Sequence, residues 1–293
     1  MNLRKRATNI LRKEGPVAFV GRSLQFAGSY LLEQSENKQK KDIIRSYSDD
    51  NRYLNVGGGD FLKENWRVLD YYSQWYDYDE IFVDFNIDLE DEKRWPIDSD
   101  SYELIYSSHT LEHLSDETVG RTLEESLRIL KSGGKIRINV PDIDIPLYHY
   151  EEGNKEWFED VWLENYVDDI YFARDKCEGY DLEFYLLSFF ATYLARIRYE
   201  ETDFGEVRQD YEEMEKNEFL NKYSSRIRDE WQREYPGWHR NWFTTDRLRR
   251  LIRSMGFKEI RVTNCRRSRI PEMCTTEFDK RPHMSLFIEA TKP

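Results

Sequence analysis

The tetrapeptide Tyr53-Leu54-Asn55-Val56 runs without a break into Gly57-Gly58-Gly59, and this junction constrains the fold more than any other stretch of the chain. A short apolar segment with β-branched character reads as a buried strand. Glycines placed directly after it allow a sharp turn and a close approach of backbone to whatever lies above the strand end. Trp66-Arg67-Val68-Leu69-Asp70 then reads as a second strand closing on an acid, Ile81-Phe82-Val83-Asp84-Phe85 as a third and Leu104-Ile105-Tyr106-Ser107-Ser108 as a fourth. A helix follows from about Asp116 to Leu130, with Leu123, Leu127 and Leu130 on one face; Gly133-Gly134 is expected to end it. Lys135 to Val140 gives a fifth strand, stopped by Pro141. Strands that alternate with helical patterns imply a parallel, doubly wound sheet.

The C-terminal part completes this pattern. Thr245 to Met255 reads as a helix ended by Gly256, and Phe257–Thr263 and Met284–Ala290 as closing strands. The expected fold is α/β: a Rossmann-like, seven-stranded, mostly parallel sheet with an antiparallel last strand, a helical N-terminal extension and a helical insertion. The domain boundaries follow as 1–47 for a basic helical extension, 48–150 for the core, 151–235 for an acidic, aromatic helical insertion and 236–293 for the last helix and strands.

Charge separates these parts. The chain of 293 residues carries a formal charge of -13, which disfavours a general nucleic-acid partner because phosphate neutralisation needs a Lys/Arg surplus. Residues 1–24 hold six basic side chains against Glu14 alone, whereas residues 151–235 hold 24 acids against 11 basic residues and 19 of the 44 aromatics. The basic, partly apolar face of the extension either packs on the main domain, the plainer reading, or makes a peripheral contact with an anionic membrane. Val17 to Leu32 is broken by Arg22 and Gln25 and is too short and polar to span a bilayer. Three cysteines without a CxxC fit a reducing compartment. The expected location is cytoplasmic, with membrane-peripheral association as a variant.

An acid ending the second strand can accept hydrogen bonds from two ribose hydroxyls, so a glycine turn followed by Asp70 suits an adenosine-containing cofactor. The turn lacks the third glycine of GxGxxG, and 13 residues separate Gly57 from Asp70 where a dinucleotide site has about 20. In order and spacing, YLNVGGGDF, NWRVLDY, the run from VDFNIDLED to SSHTLEHL and LRILKSGGKIRINVPD resemble class I S-adenosylmethionine-dependent methyltransferases. The likeness is greatest to those associated with cell-surface polysaccharide and glycolipid biosynthesis. It covers about residues 52–145, and GFKEIRV and HMSLFIEATKP are similar to that group's last two strands. The resemblance implies that Val56, Gly57, Gly58 and Gly59 frame the amino-acid end of the cofactor and that Asp70 takes its ribose. It also implies that Asp88 and Leu89 meet its adenine and that Ser107 and His109 face its sulfonium. Gly58 stands where that family often has cysteine or alanine.

His109-Thr110-Leu111-Glu112-His113 brings two histidines and an acid together. The string matches the inverted zinc-protease motif HxxEH, a reading rejected because that motif sits inside a helix and this one follows a strand. His109, Glu112 and His113 can also ligate a divalent metal that would acidify an acceptor hydroxyl. Local pairing of Glu112 and packing of His113 beneath the cofactor is the preferred account, so no metal is expected. A hydroxyl acceptor needs its proton removed, and histidine titrates in the right range. His109 is the first candidate base and His239, in GWHRNWF, the second.

The insertion, placed over the carboxyl ends of the strands, is a candidate acceptor lid, with Asp142, Trp157 and Trp162 as acceptor contacts and stacking surfaces for sugar rings. Most of its aromatics are expected to form a helical core or a homodimer contact. The resulting expectation is a methyltransferase acting on a hydroxyl of a saccharide or glycolipid. The competing readings are a nicotinamide-dependent sugar oxidoreductase and a non-catalytic cofactor-binding scaffold.

Overall fold

The computed structural model describes residues 52–59, 61–72, 83–91, 93–166, 180–279 and 281–293, with only the backbone given for 162–166. The basic N-terminal extension, Ile81, Phe82 and the side chain of Trp162 therefore lie outside the described residues. Residues 52–61 and 66–293 belong to one compact unit.

Seven strands form one sheet: β1 (Tyr53–Val56), β2 (Trp66–Asp70), β3 (Phe85–Asn86), β4 (Tyr102–Ser108), β5 (Leu130–Pro141), β6 (Lys258–Thr263) and β7 (Ser285–Thr291). Their order is β3-β2-β1-β4-β5-β7-β6. The pairs β1/β2, β1/β4, β2/β3 and β4/β5 are parallel, and β7 runs antiparallel to both β5 and β6. The chain order reverses beside β1, so the carboxyl ends of β1 and β4 flank the crevice where ligands bind in open α/β sheets. Leu54, Val56, Val68, Leu69 and Ile105 are buried in these central strands, as expected where helices cover both faces of a parallel sheet.

Helix α1 (Asp116–Ile129) starts where Ser115 Oγ accepts the Thr118 amide, and it buries Val119, Leu123 and Ile129 against the sheet. The expected glycine stop is corrected here. The helix ends at Ile129, Leu130 is already extended, and β5 begins there rather than at Lys135. Pairing jumps from Tyr102–Leu130 to Leu104–Lys135, so Lys131–Gly134 form a bulge, with Gly133 at φ +77. Those glycines serve the bulge and receive the C-terminal end of the chain: Gly133 N–H donates to Lys292 O, and Lys292 N–H to Gly134 O. Of the third strand, Phe85–Asn86 pair with β2 among the described residues.

Eight further helices complete the described unit. They are α2 (Asp144–Glu151), α3 (Lys155–Tyr166), α4 (Leu182–Ser188), α5 (Thr192–Arg196), α6 (Phe204–Glu213), α7 (Lys216–Ser224), α8 (Asp229–Glu234) and α9 (Thr245–Ser254). Helices α2 to α7 share a second core built on Phe158, Phe184, Tyr185, Phe190, Phe219 and Tyr223. Ile143, Leu147, Trp238 and Trp242 join it, so this core extends beyond the expected 151–235 boundaries at both ends. Three of the insertion's acids pair between its helices, around this core: Glu183 with Arg208 and Tyr150, Asp210 with Lys222 and Tyr223, and Glu206 with Lys222 and Arg226.

Beneath the sheet's antiparallel side lies a fully buried ionic cluster. Arg137 on β5 donates to Asp279 through Nε and Nη2, to Glu289 on β7 and Thr263 through Nη1, and to the Asn264 carbonyl through Nη2. All five guanidinium N–H groups are thereby used. Asp279 also accepts the Arg266 amide, and Glu289 the Ser268 hydroxyl, which pins the 264–279 loop to the sheet. Removing the cation would leave two buried carboxylates uncompensated. Arg137→Ala is expected to lower unfolding free energy by about 3–5 kcal/mol, read from urea denaturation at neutral pH. A loss below about 1 kcal/mol would show that the cluster contributes little.

Candidate active site

A cleft of 550 Å³ opens at the carboxyl ends of β1, β2 and β4, within the range of about 300–1,000 Å³ for small-molecule sites. Gly57, Asp70, Asp88, Leu89 and His109 line it, together with Thr110 and His113. Gly57 (φ +69) and Gly59 (φ +55) adopt the left-handed conformation. Open space lies where a Gly59 side chain would begin, whereas a Cβ at Gly57 would sit 2.1 Å from Thr110 Oγ1. Gly58 does not line the cleft. A Cβ there would meet Val68 Cγ1 at 2.8 Å, so the middle glycine is needed for packing on β2. Val56 is buried, its carbonyl 3.3 Å from the Thr110 hydroxyl.

Asp70 accepts the Gly59 amide at 2.6 Å on one carboxylate oxygen and the Tyr71 amide at 2.7 Å on the other. Each oxygen keeps a lone pair for a hydroxyl. Burial pushes its pKa up, and the two amide bonds oppose that shift. Burial also raises the Asp88 pKa, while Glu90 N–H holds one of its oxygens. The loop carrying Asp88 and Leu89 is anchored to α1, because Glu90 accepts the Thr118 hydroxyl at 2.6 Å and the Ser115 amide at 3.1 Å.

The chain leaves β4 through His109, at φ +52, and enters a 3₁₀ turn at Leu111–His113. Left-handed backbone at a non-glycine residue is uncommon and gathers at functional sites. His109 Nδ1 lies 3.1 Å from Glu112 Oε1, and its Nε2 lies 2.9 Å from Ser285 Oγ on β7. Glu112 is buried. Burial alone would raise its pKa, but the His109 hydrogen bond and the charges of His109, His113 and His239 lower it to about 2. It is therefore ionised at neutral pH, and His109 Nδ1–H donates to it.

His239 closes this cluster from a segment 126 positions away in sequence. Its Nε2 lies 4.0 Å from Glu112 Oε1, and its ring centroid 5.0 Å from that of His113. Its role as a candidate base is corrected by its surroundings. It does not line the cleft, its Nδ1–H donates to the Phe189 carbonyl at 2.9 Å, and burial lowers its pKa to about 3. A base that weak is poorly matched to neutral-pH proton removal. The segment holding it is fixed to the β4 exit by Arg240 and Asn241 amides, both donating to the Glu112 carbonyl, and by Asn241 Nδ2 donating to Leu114 O.

The remaining candidates lie away from the cleft. Ser107 is buried and its hydroxyl has no hydrogen-bond partner among the described residues. Asp142 accepts the Asp144 amide and starts α2. Trp157 stacks on His149 at 4.1 Å and packs on the helical core. Sequence reasoning missed the polar outer wall: Arg121, Asp229, Gln232, Arg233 and Arg240. Its one available signal was the charged run RDEWQRE before GWHR.

Residues 60–138 match the family model described as a methyltransferase domain. This segment supplies Asp70, Asp88, His109, Glu112 and His113. A search of curated proteins found no match. The chain is similar to a Thermotoga maritima protein described as an S-adenosylmethionine-dependent methyltransferase and possible histamine N-methyltransferase, with 15% identity, coverage of 92% of this chain and 96% of that one, and a TM-score of 0.38. It is similar to an Archaeoglobus fulgidus S-adenosylmethionine-dependent methyltransferase, with 12% identity, 88% and 94% coverage and a TM-score of 0.39. It is also similar to Haemonchus contortus phosphoethanolamine N-methyltransferase 2, with 13% identity, 87% and 52% coverage and a TM-score of 0.37. Residues 60–138 thus carry the likeness to a methyltransferase domain. The open glycine turn and the half-buried Asp70 and Asp88 facing the cleft fit an adenosine-containing cofactor such as S-adenosylmethionine.

Gly57→Ala tests the turn. Positive φ and the displaced Thr110 together are expected to cost about 2–4 kcal/mol and to weaken S-adenosylmethionine binding, measured by denaturation and calorimetry. A variant within about 0.5 kcal/mol of the parent with unchanged affinity would show that the close fit is unimportant.

Proposed function

We propose that the enzyme transfers a methyl group to a hydroxyl of a saccharide or glycolipid acceptor. The observation that carries this reading is the polar wall of the cleft. Helix α8 and the segment after it contribute Asp229, Gln232, Arg233 and Arg240 alongside Arg121 and Glu117. Interleaved donors and acceptors, with three arginines among six lining carboxylates, suit a polyhydroxylated ligand. The basic surplus in residues 1–24 suits an anionic membrane presenting a glycolipid.

In this reading Asp70 accepts the cofactor's ribose hydroxyls, Asp88 with Leu89 holds the adenine, and Gly57 and Gly59 pass beside the methionine part. S-adenosylmethionine supplies a methyl carbon already activated by its sulfonium. The acceptor oxygen forms a bond to that carbon as the carbon–sulfur bond breaks, and the acceptor proton goes to His109 Nε2 once the acceptor replaces Ser285 there. Glu112, holding Nδ1–H, fixes the tautomer and stabilises the imidazolium. Alignment supplies the larger share of the rate, about 7–11 kcal/mol.

The test is methyl-labelled S-adenosylmethionine with panels of free and lipid-linked saccharides and of amines. Transfer to saccharides, with kcat about 10²–10⁴-fold lower in His109→Gln and cofactor binding retained, is the expected result. Transfer to amines alone would overturn the acceptor class. Unchanged turnover in His109→Gln would remove the base, and binding of NAD in place of S-adenosylmethionine would overturn the cofactor assignment.

A further inference from the structure

We infer that Glu112, His113 and His239 form a divalent-cation site at the base of the cleft, of the kind that takes zinc or a similar transition metal. The inference deepens the hydroxyl-transfer reading and rests on it for the metal's chemical use, whereas binding itself is independent of any acceptor.

One ligand atom from each of the three residues lies within 4.8 Å of the other two. Ligation at about 2.0–2.1 Å in tetrahedral geometry places such atoms about 3.4 Å apart, so closure on a cation asks for movements of about an ångström. Two further observations point to a ligand. Glu112 Oε2 and His113 Nδ1 are buried without a hydrogen-bond partner among the described residues. An ionised carboxylate oxygen left bare in an interior is costly, and an unseen ion or water is a usual explanation.

The surroundings are those of ligating side chains. Nδ1–H of His239 on the Phe189 carbonyl fixes the tautomer and leaves Nε2 with its lone pair on the Glu112 side. His109 holds Glu112 Oε1, the oxygen that lies 3.9 Å from His113 Nε2 and 4.0 Å from His239 Nε2, and so orients the carboxylate toward both histidines. His113 lines the cleft whereas Glu112 and His239 do not. Two histidines and a glutamate leave a fourth position open toward the cleft, the arrangement of a catalytic rather than a closed structural zinc site. An acceptor hydroxyl entering that position would be acidified and held beside His109.

The experiment uses the full chain, stripped with a chelator and titrated with Co²⁺ and Zn²⁺ without cofactor or acceptor. Saturation at one equivalent is expected, with intense visible bands for tetrahedral cobalt and a rise in Tm. His113→Asn and His239→Asn, the latter able to keep the Phe189 hydrogen bond, should each weaken binding at least tenfold. Circular dichroism verifies that both are folded. Failure of the parent protein to bind either metal overturns the site, as does unchanged affinity in both variants, which would place the metal elsewhere. One-equivalent binding at this site without methyl transfer to any saccharide would leave the site standing and remove the acceptor assignment.

Discussion

The organisation of the cleft depends on one ionised carboxylate that the fold buries. Glu112 lies at the exit of β4, and its main-chain carbonyl accepts two amides from Arg240 and Asn241 while its side chain faces three imidazoles. The insertion's return to the sheet and the electrostatics beside the cleft are therefore set at one residue. A neutral isostere would keep the carbonyl contacts but remove the charge that makes His109 an Nδ1 donor. The backbone and side-chain roles of this residue are separable in principle and coupled by position.

The sheet was legible because its signals are local. Each strand is a short apolar run with its own terminator, and the glycine turn needed only Gly57, Gly59 and Asp70 to be understood. Gly133-Gly134 was misread because a glycine pair after a helix looks the same whether it caps the helix or bulges a strand. The choice between them was made by pairing with β4 and by Lys292, 158 positions later. Periodicity contains no information about that contact.

The site was legible in one half. SSHTLEHL placed His109, Glu112 and His113 correctly beside each other, since a turn of three residues fixes their relation. His239 was noticed for its histidine chemistry, but burial away from the cleft matches it poorly to the role of base, because surroundings and not residue type decide whether an imidazole accepts a proton. Trp157 is packed in a core with Phe158 and Phe189, while the cleft wall comes from polar residues of α8, whose charge pattern alone resembles any solvated helix.

Local pairing also reconciles the strongly acidic insertion with an arginine-bearing cleft wall. Glu183, Glu206 and Asp210 are paired with Arg208, Lys222 and Arg226 along the solvated side of the helical layer. Arg240 is paired with Asp229 at the cleft, and Arg233 stands near enough to Asp88 to favour its ionised form. A total charge therefore describes the solvated exterior, which repels polyanions, and says little about the small number of groups a ligand meets. At that smaller scale the decisive quantity is the balance around Glu112: one negative charge, no hydrogen-bond donor for Oε2 among the described residues, and His239 held with its Nε2 lone pair on the Glu112 side. A proton could satisfy only one of those acceptors, whereas a cation can be shared by all of them, which is why the same burial that disqualifies His239 as a base suits it to be a ligand.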